Sequence, residues 1–347
     1  MEFVESVCTN STLSILNLTM EDQADLYILP EGTTRTMMFA LFVIMCVGVI
    51  GNMAFLFVVF RVNEMRTPTN VYLSFLALSD TIFLVIGTFF YYTYYSEMVR
   101  SHLYTASRVG CFGAFFPQYI TYFASIAMIT LVSKDRYHAV CNPLDYHKRG
   151  KSKLAFQWSL VGLVAAVIQA VLLMTRYWNL VRLCVIWPTS LEKYLDLPRI
   201  IGFCTPTGEW GVVIGHLVEF VVFATAMVIN SILYAKTIRS LSARVTRKKR
   251  LPQDVKVRNQ VSRMLITNGT VFFLCQTPFI VITLMFLVEH LAGIDASYSY
   301  RKLAFPLTVS HVFVFLNSAI NPVIYNIASS HYRNAFGKAF RFRRELG

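Results

Sequence analysis

Seven long apolar blocks constrain what this chain can fold into more than any other feature of its sequence. A block of about 20 apolar residues is long enough to cross a bilayer as a helix. Hydrocarbon offers no hydrogen-bond partner to an exposed backbone group, whereas a helix satisfies these groups internally. The chain is also only 15% charged, against about 25% in soluble domains. We therefore predict an all-α membrane protein, a seven-transmembrane helix bundle. The blocks are Met37–Phe60, Val71–Tyr95, Gly110–Val132, Leu154–Met174, Gly211–Tyr234, Leu265–Val288 and Leu303–Ile327.

The net charge of +13 lies in particular connecting segments. Basic clusters follow the first, third and fifth blocks and end the chain, and they alternate with loops of mixed charge. This is the positive-inside pattern. It predicts a multi-pass plasma-membrane protein with an extracellular N-terminus and a cytoplasmic C-terminus, and it argues against a nucleic-acid partner. The clusters contain Arg61 and Arg66; Lys148, Arg149, Lys151 and Lys153; Arg244, Arg247, Lys248, Lys249 and Arg250; and Arg341, Arg343 and Arg344.

The two ends of the chain differ from the apolar middle. Asn10 and Asn17 each begin an Asn-X-Ser/Thr glycosylation acceptor, which has a use only on a translocated segment. We therefore divide the chain into an extracellular glycosylated N-terminus (1–35), a seven-helix transmembrane domain (36–328), and an amphipathic helix with a short cytoplasmic tail (329–347). The predicted helix would lie along inner-leaflet membrane lipids. Its apolar face carries Tyr332, Phe336, Ala339 and Phe340, and its basic face carries Arg333, Lys338 and Arg341.

A charged triplet ends a long uncharged stretch. No Asp, Glu, Lys or Arg occurs between Cys111 and Lys134, and Asp135-Arg136-Tyr137 follows at once. A charged side chain within a membrane costs roughly 2.5 kcal/mol or more, so such groups face a protein interior or water. The triplet is therefore a candidate switch. The alternative interpretation is an Arg whose charged end simply reaches the membrane edge.

Polar residues recur at fixed places inside the other blocks. They are Asn52 after Gly51, Asp80 at the end of Leu76-Ala77-Leu78-Ser79-Asp80, Trp158, Pro278, and Asn317-Ser318 before Asn321-Pro322-Val323-Ile324-Tyr325. Together with Asp135-Arg136-Tyr137 this set resembles the rhodopsin-like family of G-protein-coupled receptors across nearly the whole chain. The resemblance implies a heterotrimeric G protein as partner. It also implies a switch made of Asp135, Arg136, Tyr137, Tyr234, Asn321, Pro322 and Tyr325.

The resemblance implies two further structural features. One is a disulfide between Cys111 and Cys204, with Cys184 as the second choice of partner for Cys111. The other is an allosteric sodium pocket, since hard cations prefer oxygen ligands; the alternative is a hydrogen-bonded polar core without an ion. No other cofactor is expected. The sodium residues would be Asp80, Ser125, Asn317, Ser318 and Asn321.

The same resemblance restricts the ligand. Gln118 stands where amine receptors have Asp, and Phe315 stands where opsins have the retinal-binding Lys, so neither ligand class fits. The wider pattern is similar to receptors for thyrotropin-releasing hormone, neuromedin U, ghrelin and neurotensin, which implies an extracellular peptide ligand. The implied ligand-binding residues are Gln118, Tyr119, Tyr122, His216, Glu219, Gln276, Phe279, Thr283 and His311. Glu219 would pair either with His216 or with a basic group of the ligand.

The chain departs from the family pattern at three positions. Gln276 replaces the usual Trp of the sixth span, Ala226 replaces the usual Pro of the fifth, and Arg258 replaces an acid that latches the Arg136 counterpart. Gln276 could join the network of Asn317 and Asp80. We predict no ionic latch and raised basal activity. An orphan or weakly coupling receptor, scavenging or constitutively active, therefore stays open as an alternative.

Other functions lack the features they require. A transporter would show internal repeats and matched broken helices, and an enzyme would need a nucleophile–base or metal cluster; we find neither in the sequence. The tail after Tyr325 carries hydroxyl groups of Ser or Thr at Ser329 and Ser330 alone. Because phosphorylated tails bind arrestin through added charge, we expect weak arrestin recruitment, unless Ser240, Ser242 or Thr246 substitutes.

Overall fold

Seven long helices make up most of the protein. The computed structural model describes residues 13–18, 20–25, 27–29, 31–96, 99, 101, 107–144, 146, 152–188, 192–247, 253–294 and 296–341. All seven long helices have the length and apolar composition needed to cross a membrane, which confirms the predicted seven-helix bundle of a multi-pass membrane protein. The helices are α1 (Glu31–Arg61), α2 (Pro68–Ser96), α3 (Arg108–Cys141), α4 (Ser152–Leu173), α5 (Glu209–Arg247), α6 (Gln253–Leu291) and α7 (Ala296–Ala328).

Close packing of α1 against α7 follows from the sequence of both helices. Pro322 lies inside α7, and because proline has no N–H, the carbonyl of Ser318 four residues earlier loses its helical partner. Asn52 of α1 donates its Nδ2 to that carbonyl oxygen at 3.0 Å. A Cβ on the neighbouring Gly51 would lie 3.4 Å from the Pro322 ring. Asn52 therefore replaces the hydrogen-bond donor that Pro322 lacks, and Gly51 allows the two helices to approach closely enough for this contact.

An eighth helix, α8 (Ser330–Phe340), follows α7 directly. The predicted apolar face is largely correct: Tyr332 and Ala339 are buried, whereas Phe340 is 54% exposed. Tyr332 donates a buried hydrogen bond to Oδ1 of Asn70 at 2.5 Å. The Lys338 ammonium lies 2.9 Å from Glu64 and, through that hydrogen bond, holds the pKa of the carboxyl below its usual value. These contacts fix α8 to the turn between α1 and α2.

A small β-sheet lies at one end of the bundle, which we call the sheet end. Its strands are β1 (Ser14–Asn17), β2 (Asn179–Ile186) and β3 (Ile200–Thr205), in the order β1-β2-β3. β1 runs parallel to β2, with Ile15 opposite Cys184, and β3 runs antiparallel to β2. The all-α prediction omits this sheet. A buried apolar layer supports it, formed by Leu18, Ala24, Val99, Val185, Trp187, Tyr194 and Ile201.

Covalent and ionic links attach the sheet to the rest of the chain. The predicted disulfide between Cys111 of α3 and Cys204 of β3 is confirmed. Cys184 of β2 is disulfide-bonded as well. Lys193 pairs with Asp25 at 2.8 Å, and this hydrogen bond lowers the pKa of the Asp25 carboxyl. Of the two predicted glycosylation acceptors, Asn17 is exposed in β1 and Asn10 lies outside the described residues.

Candidate functional site

A cavity of about 410 Å³ opens among the helices at the sheet end. All nine residues predicted to bind the ligand line it, and they come from α3, α5, α6 and α7: Gln118, Tyr119, Tyr122, His216, Glu219, Gln276, Phe279, Thr283 and His311. The structure thus brings the whole predicted set to the wall of one cavity. Sequence reasoning missed other lining residues, among them Leu29 of the N-terminal segment, Tyr91 of α2, and Arg176 and Tyr177 after α4.

An ion pair that the sequence did not predict crosses the cavity wall. Arg176 Nη1 donates to Oε2 of Glu219 at 3.1 Å, and the Glu219 side chain is fully buried. Arg176 therefore stands in place of His216, one of the two partners considered for Glu219. Gly215, one turn before Glu219, makes room for Arg176, because a Cβ there would lie 2.5 Å from Arg176 Cδ. A lone cation ending the fourth apolar block was the signal that could have identified this pair.

Aromatic rings form most of the remaining wall. The rings of Phe115 and Tyr177 stack at 4.1 Å between centroids. His311 lies between Tyr91 and Phe279, at 5.0 and 5.4 Å. A mainly aromatic cavity with a few polar groups is the usual form of a small-ligand site.

Gln276 belongs to the cavity wall and not to a polar network below it. Its side chain is 3% exposed, and Oε1 has no hydrogen-bond partner among the described residues. The suggested link from this oxygen to Asn317 and Asp80 is therefore absent there. Gln276 offers the cavity a buried acceptor in place of the apolar ring that the family pattern predicts.

Below the cavity, predicted sodium residues of α3 and α7 contact Asp80. Asp80 of α2 is 1% exposed and accepts hydrogen bonds from Ser125 Oγ at 3.2 Å and from Asn321 Nδ2 at 2.6 Å. Ser318 lies beside this carboxylate. Asn317 Oδ1 is buried and has no partner in the described part of the chain. One carboxylate with nearby hydroxyl and amide oxygens fits a hard cation. An ion-free hydrogen-bonded core would leave the Asn317 oxygen without a partner, so this atom favours the cation site.

The charged triplet lies at the end of α3 opposite the sheet. Arg136 pairs with Asp135 at 2.6 Å, and the two side chains are 11% and 9% exposed. Thr69 and Tyr146 both donate to the same Asp135 oxygen, at 2.6 and 3.4 Å. Burial raises the pKa of the Tyr146 hydroxyl to about 12. The pairing of Arg136 with its neighbouring acid is therefore present and is supported from two sides.

Tyr234 and Tyr325 of the predicted switch have separate partners. Tyr234 Oη lies 3.0 Å from Ser133 Oγ, directly against Gly269 of α6. A Cβ at Gly269 would lie 1.7 Å from this hydroxyl. Tyr325 is buried between the rings of Phe55 and Tyr332, at 5.3 and 5.6 Å between centroids. The Tyr234 position therefore requires glycine on α6.

The other two departures from the family pattern, Ala226 and Arg258, have structural counterparts. α5 runs without interruption from Glu209 to Arg247, consistent with Ala226 in place of a helix-breaking Pro. α6 supplies no ion-pair partner to Arg136 in the described ranges, consistent with Arg258 at the position of a latching acid.

The comparisons with known proteins agree with this architecture. The family model for seven-transmembrane receptors of the rhodopsin family matches residues 51–325. The chain therefore belongs to this family, the rhodopsin-like G-protein-coupled receptors, and the predicted resemblance is confirmed.

Three relatives illustrate the position within the family. The chain is 28% identical to neuromedin-U receptor 1 of Homo sapiens, over 93% of this chain and 78% of the relative. It is 31% identical to growth hormone secretagogue receptor type 1 of Mustela putorius furo, over 90% and 81%. It is 27% identical to the thyrotropin-releasing hormone receptor of Homo sapiens, over 95% and 83%.

Proposed function

We propose that this receptor binds an extracellular peptide in the cavity and activates a heterotrimeric G protein through Asp135-Arg136-Tyr137 and Asn321-Pro322-Val323-Ile324-Tyr325. The observation that carries the proposal is the course of α3. Near one end this helix lines the cavity with Gln118, Tyr119 and Tyr122, and near its other end it carries the Asp135–Arg136 pair. A single rigid element thus connects a binding site to a charged pair. The relatives named for neuromedin U and thyrotropin-releasing hormone support a peptide as the ligand class.

The proposal includes an orientation in the plasma membrane. The sheet end would be extracellular and the Asp135–Arg136 end cytoplasmic, with the segments 1–35, 36–328 and 329–347 as the outer, spanning and inner parts. The basic clusters support this, since they follow the helix ends near Arg136. The exposure of the Asn17 acceptor in β1 supports it too.

The decisive experiment is a G-protein activation assay in a heterologous cell. We would apply a panel of neuropeptides to cells expressing the receptor and record nucleotide exchange on each class of Gα. We expect at least one peptide to produce saturable activation. Activation should disappear when the cavity is filled by Thr283→Trp, while Thr270→Trp, on the exposed face of the same helix and outside the cavity lining, serves as the control.

One observation favours a second function. Gln276 and Ala226 replace the two residues that the family pattern associates with activation, which would suit a scavenging or constitutively active receptor. Saturable uptake or binding of a peptide without any Gα response would establish scavenging. A Gα response without added peptide would establish constitutive activity.

Sodium should lower agonist affinity through Asp80. A cation held by the Asp80 carboxylate and the Asn317 oxygen stabilises the arrangement in which Ser125 and Asn321 also contact Asp80. Asp80→Asn removes the charge and should abolish the effect. The measurement is displacement of a labelled peptide agonist in sodium chloride and in N-methylglucamine chloride at equal ionic strength. Equal affinities in the two salts for the wild type would reject the sodium site.

Gly269→Ala should raise basal signalling. The added Cβ collides with Tyr234 Oη, so Tyr234 must leave Ser133 and the hydrogen bond between them is lost. A typical hydrogen bond contributes about 0.5–1.5 kcal/mol, which corresponds to roughly a two- to twelvefold change in the equilibrium between conformations. The measurement of basal signalling is the rate of nucleotide exchange on Gα without agonist. Gly113→Ala on α3, where a Cβ meets nothing within 4 Å, is the matched control and should leave basal exchange unchanged.

Arrestin recruitment should be weak. Ser329 is buried, and Ser330 Oγ donates to Gln260 Oε1 at 2.8 Å, so the first hydroxyl is inaccessible to a kinase and the second is engaged where α7 meets α8. Phosphates on these residues would have to displace that contact. A proximity assay between receptor and arrestin measures the recruitment. Strong recruitment that persists in the triple variant Ser240→Ala, Ser242→Ala, Thr246→Ala would contradict this expectation.

A further inference from the structure

Four buried polar atoms on the cavity wall have no hydrogen-bond partner among the described residues. Each belongs to a side chain that is at most 8% exposed and lines the same cavity. Native proteins leave few such groups unsatisfied, because each retains its full desolvation cost. Four such atoms on the wall of one cavity indicate that a ligand or water supplies their missing hydrogen-bond partners. The atoms are Tyr122 Oη, His216 Nδ1, Glu219 Oε1 and Gln276 Oε1.

The charges around these atoms cancel. Among the described residues that line the cavity, Glu219 is the one acid and Arg176 is the one Lys or Arg, with the imidazoles of His216 and His311 counted as neutral. They form an ion pair at 3.1 Å through Oε2 and Nη1, which leaves Glu219 Oε1 open as an acceptor. A guanidinium has five N–H donors, and Nη1 uses one of them on Glu219. Arg176 is held in place by the ring of Tyr177, 5.3 Å away.

We propose that this wall recognises an uncharged group that is both a donor and an acceptor, of the carboxamide type. Its N–H would donate to Glu219 Oε1, and its carbonyl oxygen would accept from the Arg176 guanidinium. The inference rests on the proposed ligand site and states the chemistry that the site selects. It assigns Arg176 a part in specificity that the sequence pattern did not suggest.

Charged groups fit this wall less well, for an electrostatic reason. An ammonium group would donate a hydrogen bond to Glu219, but it would bring the buried site to a net charge of +1 beside Arg176. A carboxylate would gain Arg176 but would bring it to −1 beside Glu219. An uncompensated charge in a site of low dielectric constant is strongly disfavoured. A carboxamide makes the same two contacts and leaves the site neutral.

The test compares three probes that share one ring and differ in the polar group: phenylacetamide, phenylacetate and 2-phenylethylamine. Binding to the full-length receptor, purified in detergent, is followed by saturation-transfer NMR at neutral pH. We expect phenylacetamide to bind roughly tenfold more tightly than either charged probe, as for a hydrogen bond to a charged partner. Preference of the wild type for a charged probe, or no saturable binding of phenylacetamide, overturns the proposal.

Charge variants make the test specific to the pair. Glu219→Gln leaves Arg176 uncompensated, so the preference should move to phenylacetate. Arg176→Gln should move it to 2-phenylethylamine. The double variant Arg176→Gln/Glu219→Gln is neutral again, should fold even if Arg176→Gln does not, and should prefer phenylacetamide. Glu64→Gln, at the exposed pair with Lys338, is the control and should keep the wild-type order.

The two proposals can fail separately. The probe experiment uses no signalling, so a receptor that activates no G protein would still show the predicted order of probes. Conversely, a probe order that is identical in the wild type and in Glu219→Gln would reject the role of the pair and leave peptide-stimulated Gα activation intact.

Discussion

Replacing Arg176 by Met lowers the free energy of unfolding by about 3–5 kcal/mol, because the fully buried carboxylate of Glu219 loses its counter-ion. Restoring neutrality should recover most of this loss. In the double variant Arg176→Met/Glu219→Met, neither charge remains, and pairs replaced by apolar residues of similar size are often as stable as the original. Thermal unfolding of the detergent-purified receptor, without ligand, measures both variants.

An exposed pair provides the matched control. Lys338 and Glu64 are 2.9 Å apart, close to the 3.1 Å of the buried pair, but their side chains are 57% and 65% exposed. Lys338→Met should therefore change stability by about 1 kcal/mol or less, as for surface ion pairs. If Arg176→Met unfolds at the wild-type temperature, Glu219 cannot depend on Arg176 for its charge balance.

Replacing Arg136 by Met should reduce agonist-stimulated G-protein activation by roughly tenfold or more, since a hydrogen bond to a charged group contributes about 1.5–3 kcal/mol. Met keeps the apolar stem of Arg136 but removes the N–H donors that contact Asp135 and Thr69. Asp135 then keeps Thr69 and Tyr146 alone as partners. The measurement is nucleotide exchange on Gα, using the most potent peptide from the screen, at matched surface expression.

Arg341→Met is the control for this second experiment. Arg341 follows α8 and is exposed, so the substitution removes the same charge without touching the Asp135 cluster. It should preserve most of the activation. Full activation by Arg136→Met at normal expression would falsify the role assigned to the pair.

The sequence predicted the binding cavity better than it predicted the contacts within it. Position matching placed Gln118, His216 and His311 in one site, and the structure brings them to one cavity with the other six. A family pattern records which helix face each position occupies, and that face is a local property. It does not record that a cation ending the fourth block reaches Glu219 on the fifth helix.

The β-sheet shows the same limit on a larger scale. β1 has four residues and pairs with β2 more than 160 residues further along the chain, as in the register of Ser14 with Leu183. Short strands carry little periodicity of their own, because their pairing is decided by the neighbouring strand and the apolar layer beneath. Trp187 and Tyr194 supply part of that layer, and neither marks a strand in the sequence.

The sequence by itself determined the seven membrane helices, the family and the Cys111–Cys204 disulfide. Each of these depends on hydropathy, on motif spacing or on neighbouring residues. The tertiary structure alone decided which buried charges meet and which polar atoms stay open. The partner of Glu219 is Arg176 and not the nearby His216, because a buried carboxylate is stabilised by whichever cation the packing of α4 against α5 brings within reach.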